Sequence, residues 1–125
     1  MGNRVNLYMA SLKDRQGTLR KSINSLLYQV DTIQVSLPFE SPDWLQALQG
    51  KTNGAVYAIQ HDNSLRDGSR FINADKKPGY CLVCDDDIEY PPDFVERMIA
   101  TYNSRPMGFL TVMGKNLKPR PLQSY

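Results

Sequence analysis

GYCLVCDDDIEYPPDF, residues 79–94, is the stretch on which the fold turns. Tyr80 to Cys84 is apolar without alternation, the pattern of a strand covered on both faces. Pro78-Gly79 marks a turn just before it. Three consecutive aspartates, Asp85, Asp86 and Asp87, close the run. Pro91-Pro92 then opens a helix, because proline is tolerated in a first turn. Phe94, Val95, Met98, Ile99 and Tyr102 recur at helical spacing as its inner face, and Asp93 and Glu96 sit near its positive end. The stretch therefore reads strand, acidic turn, helix.

Working outward, the same alternation repeats upstream. Val5 to Met9 reads as a strand, followed by a polar turn over Ser11 to Gly17. Leu19, Ile23, Leu26, Leu27 and Val30 predict an amphipathic helix over Thr18 to Gln29. Thr32 to Leu37, TIQVSL, reads as a second strand stopped by Pro38. Ser41-Pro42-Asp43 starts a short helix, Trp44 to Gln49, with Gly50 as its stop. Ala55 to Gln60 is a third strand. His61 to Lys77 reads as a loop running into a short helix. Downstream, Met107 to Met113 predicts a fifth strand, and residues 114–125 an irregular basic tail. Strands alternating with helices imply one α/β domain over residues 1–125, a mainly parallel Rossmann-like sheet with helices on both faces. Ligands of such sheets bind outside the carboxyl ends of the strands, where the three aspartates fall.

Composition narrows the partners. The 125 residues suit one compact domain, and 41% hydrophobic with 22% charged is ordinary for a globular protein. The net charge of +2 comes from scattered Lys and Arg, so no basic stripe points to nucleic acid. No apolar run approaches the roughly 20 residues of a membrane span. The opening residues lack the apolar core of a secretory signal. Cys81 and Cys84 have C-x-x-C spacing, which admits a redox or metal pair. Residues three apart in a strand face opposite sides, which favours plain packing. A reducing cytoplasm is the expected setting.

The aspartates need a physical account. In a strand that continued briefly, Asp85 and Asp87 would point to one side and Asp86 to the other. Two unit charges about 5 Å apart repel by roughly 3 kcal/mol at an effective dielectric near 20, and by under about 1 in water. Solvent, a raised pKa or a cation would each relieve that repulsion. A hard divalent cation, Mg²⁺ or Mn²⁺, suits carboxylate oxygens, with phosphates and waters completing its shell. On spacing alone, a solvated acidic turn and a cation site both fit.

VCDDDIEYPPDF resembles the acidic DxD signature of the GT-A family of nucleotide-sugar glycosyltransferases. There an apolar strand runs into Asp-x-Asp and a Pro-Asp soon opens a helix, here Pro92-Asp93. The resemblance implies Asp85 and Asp87 as metal ligands and Asp86 as a ribose contact, in a register that three adjacent acids leave open to permutation. ASLKDRQGTLRKSINSLLYQVDTIQVSLPF is similar to the family's opening unit, whose first loop lines the base pocket; Ser11, Lys13, Asp14 and Arg15 match it. Asp67-Gly68-Ser69-Arg70-Phe71 resembles a Gly-Asp-x-x-Lys-Phe pattern of a bacterial subgroup that includes majastridin. Asp67 and Arg70 are then candidates for base or diphosphate contacts. Two departures stand out. The second strand ends in Val35-Ser36-Leu37-Pro38, without the acid that many relatives carry. The chain also stops soon after the fifth strand, where relatives continue into an acceptor site, and no residue takes the role of catalytic base.

The resemblance thus implies the donor-binding half of a metal-dependent glycosyltransferase, with a UDP-sugar as donor, Mn²⁺ or Mg²⁺ as cofactor and an unassigned acceptor. The alternative is a non-catalytic domain that binds a nucleoside diphosphate with metal. His61, the sole histidine, reads as a loop residue, Trp44 as packing, and Lys115, Lys118 and Arg120 as a solvated tail.

Overall fold

The structure, a computed structural model, describes residues 4–61 and 79–104. Four strands, β1 (Val5–Ala10), β2 (Thr32–Leu37), β3 (Val56–Gln60) and β4 (Tyr80–Val83), form one sheet. Its order is β3-β2-β1-β4, and every pairing is parallel. A 3-10 turn (Lys13–Arg15) leads into helix α1 (Gln16–Leu26); α2 (Asp43–Lys51) follows β2, and α3 (Phe94–Ser104) follows β4. The parallel α/β class expected from the alternation is therefore present. The fifth strand, the loop and short helix of residues 62–77, and the tail fall outside the described residues, as does any helical layer on the second face.

The register explains the core. Leu7 pairs with Ile33 on one side and Leu82 on the other, so alternate residues of the strands share a face. Leu7, Met9, Ile33, Val35 and Leu37 on that face are fully buried. Leu19, Ile23 and Leu26 of α1, Leu45 of α2, and Phe94 and Val95 of α3 join the same cluster. Each such side chain contributes about 1.5–3 kcal/mol relative to exposure.

The opposite face is buried but polar, with Asn6, Gln34 and Ser36 at or below 1% exposure. Such groups are tolerable only when hydrogen-bonded. Thr32 Oγ1 donates to Asn6 Oδ1 at 2.8 Å, and the Tyr57 hydroxyl to Gln34 Oε1 at 3.2 Å.

Helix ends differ from the sequence reading for local reasons. Gly50 does not stop α2, which runs to Lys51. The stop is Asn53, left-handed at φ 53°, followed by Gly54. The Gly54 amide donates to Gln49 O at 2.8 Å and the Asn53 amide to Gly50 O at 3.2 Å, the paired bonds of a Schellman end. α1 begins two residues earlier than periodicity predicts and ends at Leu26.

Strand order places the site. From β1 the chain steps to β2 and then β3, moving one way across the sheet. β4 then pairs with the far side of β1. The order reverses between β1 and β4, and the loops leaving their carboxyl ends lie at this switch point, where sheets of this kind commonly bind ligands.

Candidate functional site

The two loops at this reversal are Ser11–Arg15, after β1, and Asp85–Ile88, after β4. Ser11 is held by its amide, which donates to Ser36 O of the neighbouring strand at 3.1 Å. Its hydroxyl donates to Asp86 Oδ2 at 2.5 Å. Arg15, at the end of the 3-10 turn, places Nη1 3.3 Å from Asp86 Oδ1. Three residues expected at a ligand site, Ser11, Arg15 and Asp86, thus meet between the two loops. Arg15 stays half exposed at 48%, while the Asp86 side chain is 4% exposed.

The three aspartates escape their mutual repulsion by separating into different environments. Asp87 is exposed, Asp85 is half-buried and Asp86 is buried. Burial pushes the Asp86 carboxyl above its ordinary range, and the Asp87 charge adds to that. The Ser11 hydrogen bond and the Arg15 charge pull the other way without cancelling it. β4 ends at Val83 and a turn takes over at Asp86-Asp87, so it is a turn rather than a strand continuation that turns Asp86 inward.

Both feet of this acidic turn are pinned. The Cys84 amide donates to Tyr8 O at 3.0 Å, the last ladder bond of β4. The Asp85 amide donates to the Tyr90 hydroxyl at 3.0 Å. Burial, with lesser effects from Cys84 and Asp85, pushes the Tyr90 hydroxyl far above its ordinary value, so it stays neutral. On the far side, the Ile88 amide donates to Ser22 Oγ at 3.0 Å, and the Ser22 hydroxyl donates back to Ile88 O. The Tyr90 amide donates to Ser25 Oγ at 2.9 Å. Gln29 Nε2 donates to Pro91 O at 2.9 Å, and Gln29 Oε1 accepts the Val95 amide at 2.9 Å.

Sequence reasoning missed these partners. Ser22, Ser25 and Gln29 stand at i, i+3 and i+7, a polar line beside the apolar face of Leu19, Ile23 and Leu26. That spacing was the available signal. Tyr90 had none, since it sits outside any periodic element.

Other expectations resolve individually. Asp67 and Arg70 lie outside the described residues. Neither Cys81 nor Cys84 is in a disulfide. Burial raises the Cys81 thiol's pKa, which disfavours thiolate chemistry. Cys84 packs in the core cluster. Trp44 packs against the core, donates Nε1–H to Gln16 Oε1 at 3.0 Å and lies under the Arg20 guanidinium at 5.5 Å. His61 is half-buried just after β3. No described helix is long and apolar enough to cross a membrane. At the other end of the sheet, an open depression of about 480 Å³ is lined by Gln46, Gln49, Gly50, Asn53 and Gly54, with no charged group among them.

Among the described residues, no group of three His, Cys, Asp or Glu side chains gathers as a metal set. Asp86 already uses both oxygens on Ser11 and Arg15. Asp85 and Asp87 add two carboxylates with hard-oxygen donors, too few for an all-protein shell. They fit a cation that arrives with phosphate oxygens and waters, as Mg²⁺ commonly does.

Fold and site together define an α/β domain with a parallel sheet and a polar side-chain cluster at its topological switch point. No protein-family model matches the chain, and no curated protein matches it.

Proposed function

We propose that the loops at the switch point between β1 and β4 bind the nucleoside diphosphate of a nucleotide sugar together with a divalent cation, and that the chain is the donor-binding part of a glycosyltransferase of the GT-A kind. The observation that carries the reading is Asp86: a buried carboxylate, held by Ser11 and Arg15 at the switch point, with a half-buried and an exposed acid on either side of it.

Each residue's part follows from its chemistry. Asp86 is an acceptor fixed in place, and the second lone pair on each oxygen, beyond the bonds to Ser11 and Arg15, suits a sugar hydroxyl of the nucleoside. Ser11 orients it. Arg15, half in solvent, offers a planar fork with donors to spare for phosphate or a face for the base. Asp85 and Asp87 would hold Mn²⁺ or Mg²⁺ against the diphosphate. When bound, the cation would offset charge developing on the departing diphosphate. UDP is the proposed nucleotide and a reducing cytoplasm the proposed setting, the latter supported by two cysteines outside any disulfide.

Calorimetry with UDP tests this, with and without Mn²⁺, on the native chain and on Asp87→Ala. Metal-dependent binding that weakens at least tenfold in the variant is expected. Equal binding by both proteins, or none, overturns the reading. Release of UDP from a panel of UDP-sugars then separates transfer from binding alone.

A further inference from the structure

We infer that helix α1 and the turn that follows it position the acidic turn, acting through Ser22 and Ser25 of the helix and Gln29 of the turn. The inference rests on the reading of that turn as a donor site, and it assigns roles to residues that touch no ligand. β4 controls the chain only as far as the Cys84 amide. Asp86 comes two residues later, beyond the last ladder bond. Its backbone path is set instead by what holds Asp85 and Ile88.

One of those holds is the Tyr90 hydroxyl, and Tyr90 is itself anchored through its amide to Ser25. The other is Ser22, which takes both the amide and the carbonyl of Ile88. Gln29 extends the line to Pro91 and to the Val95 amide near the start of α3. The Ser22, Ser25 and Gln29 side chains all bind backbone groups in this segment. The line therefore sets the path of residues 88–95 through their backbone. Ser25 Oγ also donates to Ser22 O at 2.7 Å and Gln29 Nε2, from the turn after the helix, to Ser25 O at 2.8 Å, so the Ser25 and Gln29 side chains are tied back to α1.

The same helix governs the facing wall. The 3-10 turn runs directly into α1, and Arg15 is the residue before its first turn. One rigid body thus sets Arg15 on one side of the switch point and the foot of the Asp86 turn on the other. A fixed gap between the two is what the Arg15 and Ser11 contacts to Asp86 require. Partners that orient ligating groups from behind typically change affinity 10–100-fold when removed.

The test uses Ser22→Ala, Ser25→Ala, Ser25→Thr and Gln29→Glu in the full chain. Gln29→Glu keeps the acceptor for the Val95 amide and loses both donated bonds, so it serves if Ser22→Ala fails to fold. Two readouts are combined: the carboxyl ¹³C resonance of Asp86, and UDP affinity with Mn²⁺. Positioning predicts that Ser22→Ala, Ser25→Ala and Gln29→Glu shift the Asp86 resonance and weaken UDP by about 10–100-fold. It also predicts that amide exchange in β1 and β2 stays native and that Ser25→Thr restores both values. If amides of Ile88, Tyr90 and Val95 exchange faster while Asp86 and UDP affinity are unchanged, the line is packing only and the inference fails. If the native chain binds no UDP, the donor reading fails, and the Asp86 resonance still decides whether α1 positions the turn.

Discussion

Removing a single oxygen at Tyr90 probes the acidic turn without touching the acids. In Tyr90→Phe the ring keeps its place, 4.5 Å from the Phe94 ring between centroids. What goes is the acceptor of the Asp85 amide, in a side chain only 5% exposed. A part-buried amide left without its partner costs about 1–3 kcal/mol. For a domain of this size that lowers Tm by roughly 3–5 °C per kcal/mol. The pH dependence is the sharper part. The Tyr90 hydroxyl titrates near 10.0 in an unfolded chain and far higher in the fold. Its stabilising effect is fully present below pH 10 and is lost as pH rises beyond, because only the unfolded state ionises. One such group costs the native protein about 1.4 kcal/mol by pH 11, a loss the variant does not suffer. The deficit of Tyr90→Phe should therefore shrink by about that amount between pH 8 and 11. Urea unfolding followed by Trp44 fluorescence measures it. A deficit that is constant with pH, or absent at pH 8, would refute the argument.

Other perturbations test separate joints. Gly79 has φ 107°, and a Cβ there would run into the Arg4 carbonyl that accepts the Tyr80 amide; Gly79→Ala should cost more than about 2 kcal/mol by urea unfolding, and a near-neutral result would contradict the close approach. Asp86 is the opposite case. Its raised pKa means that the charged form is disfavoured in the fold, so stability falls as pH rises through its titration. Asp86→Asn should raise Tm at pH 7 in metal-free buffer, converge with the native protein near pH 3 and abolish nucleotide binding; a lower Tm at pH 7 would reverse the sign assigned to burial.

Much of the frame was legible because it is periodic. β1, β2, β3 and α1 follow from apolar spacing, and strand-helix alternation yields the parallel sheet. Ser11, Arg15 and Asp86 were legible as loop residues after strands, and the sheet order brings them together. Hidden from the sequence was which aspartate turns inward, since that depends on the turn at Asp86-Asp87 rather than on strand alternation. Hidden too were Tyr90 and the Ser22-Ser25-Gln29 line. Their partners lie 60 or more residues away or in an irregular loop, and hydrogen bonds to backbone leave no mark in the partner's residue type. Gly50 misled for a related reason: a glycine is tolerated inside a helix, and the left-handed stop needed the Asn53-Gly54 pair.

The central claim is that the ligand sits at the switch point between β1 and β4. Paramagnetic broadening by Mn²⁺ in the presence of UDP locates it directly. The account predicts selective loss of the amide signals of Ser11 to Arg15 and Asp85 to Ile88, with Gln46 to Gly54 at the other end of the sheet untouched. Uniform weak broadening, or loss confined to other segments, would contradict it.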